Sequence, residues 1–152
     1  MSLQFTPLLE LIHKKFIACF SAITERVSLP EITLCQSYFV GTADYDPTTA
    51  DSFLNELCLE HSSEFFQVFY LDINLSTVVK IIRLRPQESL EQATVRYFDE
   101  ENVYNGIVEG SYFAIDNKQS WSIFYDALED IFLLHIKDKN KLDIFRDYLL
   151  PN

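Results

Sequence analysis

Beginning at Thr6, the apolar residues Leu9, Ile12, Phe16, Phe20, Ile23 and Val27 recur at steps of three and four. That spacing places them on one stripe of a helix of about twenty residues. Thr6–Pro7 supplies the start and Pro30 bars continuation, since proline is tolerated at the first helical position and not in the interior. The pattern then changes period. "EITLCQSYFV" is β-rich and stops at Gly41, which predicts a strand. Asp46 and Pro47 predict a cap and first turn for a second helix. Ala50, Leu54, Leu57 and Cys58 line its inner face, and Glu56 and Glu60 lie opposite.

"FFQVFYLDINLSTVVKIIRLR" is apolar and β-branched, with a polar break from Asn74 to Thr77. It predicts two strands, although the first half also fits a continuing helix. Pro86 ends the second strand. "ESLEQ" reads as a turn or short helical piece, "ATVRYF" as a strand, and "DEENVYNGIVEG" as a loop or hairpin turning at Asn105–Gly106. "GSYFAI", "SWSIFY" and "IFLLHI" are three more strands, joined by the turns "DNKQ" and "DALE" into an antiparallel meander. Asp138 then caps a closing helix whose inner side carries Leu142, Phe145 and Leu149. The expected fold is one α+β domain over residues 1–152: an antiparallel sheet with a C-terminal meander, and helices at both termini gathered on one face.

The chain's 152 residues suit one domain with a sizeable core. Only three glycines are present, too few for a phosphate-cradling loop. The cysteines Cys19, Cys35 and Cys58 are odd in number, lack C-x-x-C spacing and sit in apolar patterns, which predicts buried thiols in a reducing compartment. The N-terminal stretch has no signal-peptide pattern and no 18 apolar residues run together, so the expected location is cytoplasmic, away from membranes.

Charge sharpens the reading. The 23 acids outnumber 12 bases, for a net charge of −11. From Val27 to Val79 there are eight acids and no Lys or Arg, and from Tyr97 to Asn117 five acids and no base. Such a field repels nucleic acid and favours a basic partner.

Motifs for chemistry are sparse. "DYDPT", Asp44 to Thr48, matches the D-x-D-x-T signature of haloacid dehalogenase phosphatases. That signature needs a strand running into the first Asp and an alternating α/β chain behind it, and both are missing here. A calcium loop on Asp44, Asp46 and Asp51 fails because Thr49 stands where the loop needs glycine. His13, His61 and His135 have no zinc-ligand spacing. No metal, nucleotide or other cofactor is expected.

The run from Ser120 to Asp138 remains. Trp121, Ile123 and Tyr125 face one side of their strand, with Ser122 and Phe124 on the other. The pattern Trp121, Ile123, Phe124, Tyr125, Asp126, Glu129, Ile131 and Leu133 resembles a segment common in bacterial immunity proteins, the small cytoplasmic antidotes of polymorphic-toxin and contact-dependent inhibition systems. It departs at Ala127, where a basic residue often stands. The resemblance implies a non-enzymatic protein that binds a cognate toxin domain, often a basic nuclease. Two other readings are a small enzyme with a site assembled from scattered acids and histidines, and an acidic structural adaptor. On the binding reading, the expected contacts are the acids without nearby bases: Glu56 and Glu60 on the second helix, Asp99, Glu100 and Glu101 in a loop, and Asp126, Glu129 and Asp130 in an exposed turn. Tyr104 and Tyr125 stand beside them as aromatic anchors.

Overall fold

The structure is a computed structural model, which describes residues 6–26, 37–40, 47–72, 74–101, 111–127 and 131–148. The element order is α1 (Thr6–Thr24), β1 (Ser37–Val40), α2 (Pro47–His61), β2 (Phe66–Leu71), β3 (Val78–Leu84), α3 (Leu90–Glu101), β4 (Tyr112–Asp116), β5 (Trp121–Asp126), β6 (Ile131–Ile136) and a closing 3₁₀ helix, Lys139–Tyr148. The six strands form one sheet in the order β1-β6-β5-β4-β2-β3. Every neighbouring pair is antiparallel. The fold is α+β, with the C-terminal meander β4-β5-β6 at its centre.

Strand alternation sorts the sheet into two buried faces. One carries Phe66, Val68, Tyr70, Tyr112, Ala114, Trp121, Ile123, Phe132, Leu134 and Ile136, packed with Phe53, Leu54, Leu57 and Cys58 of α2, Leu90 of α3 and Phe145 of the closing helix. The other carries Phe69, Leu71, Val78, Phe113, Ile115, Phe124 and Leu133, packed with Ile12, Phe16, Cys19 and Ile23 of α1. Helices therefore cover both faces, where one-sided packing was expected. The reason is visible in β4 and β5, which are buried at nearly every position. A strand apolar on both sides must be covered on both sides.

Cross-strand registry lines up rows of rings. Tyr70, Tyr112, Tyr125 and Phe132 are successive partners across β2, β4, β5 and β6. Ring centroids are 6.2 Å apart for Tyr70–Tyr112, 5.3 Å for Tyr112–Tyr125 and 4.6 Å for Tyr125–Phe132. On the opposite face Phe69, Phe113, Phe124 and Leu133 form the matching row. Phe16 of α1 seats on it, 5.5 Å from both Phe113 and Phe124.

The segment expected as a strand, "ATVRYF", lies within α3. Ser89 caps this helix: its Oγ accepts from the Gln92 amide at 3.1 Å. Asp51 of α2 reinforces the cap, accepting from the Leu90 amide at 2.8 Å and from the Ser89 hydroxyl at 2.5 Å. A carboxylate beside exposed amides at a helix N-terminus is favourable by about 0.5–2 kcal/mol. The β-branched Thr94 and Val95 cost the helix only tenths of that, and Thr94 Oγ1 also hydrogen bonds Tyr70 Oη at 2.6 Å.

Scarce glycine has a structural consequence. Ser62, Leu75, Gln87 and Gln119 all take left-handed backbone conformations, with φ of 53°, 57°, 76° and 55°. Ser62 follows α2, and the Ser63 amide reaches back to the Cys58 carbonyl at 2.8 Å, closing the helix end.

Candidate functional site

The expected contact residues have separate fates. Glu56 and Glu60 are exposed on α2, turned away from the sheet. Between them Leu59 is 59% exposed. Leu54, Leu57 and Cys58 take the inward positions of the same helix, and Leu59 falls outside their stripe. Sequence reading passed over Leu59. Its signal was an apolar residue off the stripe and flanked by acids.

Asp99, Glu100 and Glu101 occupy the last turn of α3, where a loop was expected. Tyr104, Glu129 and Asp130 lie outside the described residues, as do Asp44 and Asp46 of the D-x-D-x-T match. Tyr125 is half-buried within the tyrosine row. That row reaches α3 through the Tyr70–Thr94 hydrogen bond. Asp51 ties α2 to the start of α3. α2 and α3 thus pack in one helical layer over the same face of the sheet.

Asp126 is a correction. An exposed acid was expected, yet it closes β5 only 1% exposed, and Lys15 of α1 meets its Oδ2 at 2.8 Å. A carboxylate there faces the α1 side of the sheet and is held by a lysine itself 24% exposed. Folding supplies a base that lay 111 residues away in sequence.

Other acids in the base-free stretches are also committed internally. Asp72 folds the β2–β3 turn, accepting from the Ser76 and Thr77 amides at 2.7 and 3.0 Å. Asp116 ends β4, is buried, and accepts from Ser63 Oγ at 2.7 Å and the Ser120 amide at 2.7 Å. Trp121 Nε1 donates to the same Ser63 Oγ at 3.3 Å. Two lysines approach the C-terminus of α2: Lys141 donates to the Glu60 carbonyl at 2.6 Å and Lys118 to the His61 carbonyl at 3.3 Å. Cations at this end complement the helix dipole. Glu60 therefore has a lysine close to its backbone, and Glu56 stands a turn farther from it.

For chemistry, the cysteines are the natural nucleophile candidates. Burial pushes the thiols of Cys19 and Cys58 up to about 12, with Asp116 adding to the rise at Cys58. Both stay protonated at neutral pH, and a thiol is a poor nucleophile and metal ligand. His61 Nδ1 donates to the Leu57 carbonyl at 2.8 Å, and its ring lies parallel to Phe145 with centroids 6.3 Å apart. His135 is buried in β6, which lowers its pKa below the usual value. Among the described residues no group of three His, Cys, Asp or Glu is placed to hold a metal ion, and no helix is long and apolar enough to cross a membrane.

Comparison with family models, curated proteins and solved structures finds no match for this chain.

Proposed function

We propose that this is a non-enzymatic binding protein, a cytoplasmic immunity protein that neutralises a basic toxin domain such as a nuclease. The observation that carries the reading is the outer face of α2, where Glu56 and Glu60 flank the exposed Leu59. Nothing in the fold requires this arrangement. Glu56 and Glu60, four apart, repel slightly along the helix, and Leu59 gains nothing from water. A basic partner relieves the first cost, and desolvating Leu59 relieves the second. An apolar centre ringed by charge is the usual anatomy of a protein interface. The protonated state of Cys19 and Cys58 supports a binding role over thiol catalysis.

The test is co-expression with the product of the adjacent gene, because antidotes are encoded beside their toxins. The parent chain should restore growth. Leu59→Asp with Glu56→Lys should abolish protection while the purified variant keeps its melting temperature. Full protection by that variant would remove α2 from the interface, and a neighbour that is harmless alone would count against the immunity role itself.

A further inference from the structure

The second edge of the sheet carries an unrelated feature. β3 is an edge strand of seven residues. The Leu71 amide bonds the Ser111 carbonyl and the Asn117 amide bonds the Phe65 carbonyl, so odd-numbered residues of β2 turn their backbone groups towards β4. Phe66, Val68 and Tyr70 then bond β3 through their register partners Leu84, Ile82 and Lys80. By alternation, the N–H and C=O groups of Ile81 and Arg83 point outward. Among the described residues no strand pairs with them. Beside them Val79 is 50% and Ile81 37% exposed.

The charge of this edge is opposite to that of the chain. From Ile73 to Gln87 there are three bases, Lys80, Arg83 and Arg85, and no acid. Lys80 has a partner of its own within the protein. Arg83 and Arg85 are exposed, and the Arg83 guanidinium lies 4.0 Å from the centroid of the Phe65 ring, which holds it beside the edge.

The geometry points to β3 as a docking edge for an extended acidic segment of a partner protein, added to the sheet as a seventh strand. Outward amides and carbonyls of Ile81 and Arg83 would supply the ladder, Val79 and Ile81 the apolar contact, and Arg83 and Arg85 the selection for acids. A second copy of this chain is the wrong occupant. Pairing β3 with itself sets Lys80, Arg83 and Arg85 of two copies side by side with no acid between Ile73 and Gln87 to offset them. This inference does not rest on the α2 surface.

A synthetic peptide alternating valine with glutamate is the probe, and its valine–lysine counterpart the control, both read by fluorescence anisotropy. The acidic peptide should bind, the control should not, and the Ile81 and Arg83 amides should gain protection from hydrogen exchange. Ile81→Pro removes only an outward donor and should weaken binding about tenfold or more. Arg83→Glu with Arg85→Glu leaves the backbone intact and should weaken it about tenfold. The inference is overturned if the acidic peptide fails to bind, if both peptides bind alike, or if neither variant changes affinity. It is equally overturned if the protein sediments as a dimer that Ile81→Pro dissolves, since the occupant is then a second copy.

Discussion

Two acids of this protein, Asp116 and Glu56, carry the same formal charge and do opposite work. Asp116 sits at the β4–β5 turn, buried, with the Ser63 hydroxyl and Ser120 amide on its carboxylate. Glu56 projects from the outer face of α2 into solvent. The same division separates Asp51, Asp72 and Asp126 from Glu60 and Glu64. The short side chains of Asp51, Asp72 and Asp116 reach back to amides and hydroxyls at caps and turns, and Asp126 takes the Lys15 ammonium. Glu88 likewise reaches back to the Arg85 amide at 2.7 Å, while Glu56, Glu60 and Glu64 are exposed. A count of acids therefore overstates the field a partner meets. What remains outside is smaller, and Glu56 and Glu60 of α2 are part of it.

The sharpest way to break this contrast is at Asp116. Asp116→Ala leaves the Ser63 hydroxyl and the Ser120 amide without their acceptor, and should cost about 3–4 kcal/mol in urea denaturation. A loss below ~1 kcal/mol would place Asp116 with the idle acids. The ion pair comes next. Lys15→Met strips the buried Asp126 of its cation and should cost about 2–3 kcal/mol, and adding Asp126→Leu should restore most of it. If the double variant is no better than the single, the loss belongs to Lys15 packing and not to the stranded charge.

A smaller effect follows from His135, whose pKa burial lowers from the ordinary 6.5. Its folded form resists protonation and its unfolded form does not. The stability that this neutral histidine contributes is complete above about pH 6.5 and is lost as pH falls through the lowered folded value. The slope cannot exceed about 1.4 kcal/mol per pH unit for one proton. His135→Gln should flatten the stability profile between pH 7 and 5 relative to the parent. An unchanged profile would assign that titration to other groups.

At the other extreme, Glu56→Lys and Glu60→Lys should shift stability by no more than ~0.5 kcal/mol, as expected of exposed positions. A loss of 2 kcal/mol or more in chemical denaturation, on the order of a buried network, would erase the distinction between the two kinds of acid.

How much of this was legible in sequence follows from the range of the interactions. The meander was readable because alternation and tight turns are local, and α1 because its stripe is long. α3 was misread, yet Ser89 and Gln92 stand at capping-box spacing, a local signal. The remaining weight came from Asp51, which caps α3 from another helix, and no local pattern announces that. Asp126 was misjudged for the same reason, since its base comes from α1. Coverage of both sheet faces was implied by the unbroken apolar runs Tyr112 to Ile115 in β4 and Ile131 to Leu134 in β6. The site was legible only as Glu56 and Glu60. Leu59 becomes conspicuous once the inward stripe of α2 is fixed by packing.

Under the proposed function, the outer face of α2 steers a basic protein. The most direct measurement is the association rate of the parent and of Glu56→Lys/Glu60→Lys with the product of the adjacent gene, from low to high salt. The variant should associate about tenfold or more slowly at low salt, with a flatter salt dependence and an unchanged melting temperature. Equal rates and equal salt slopes for the two proteins would contradict it.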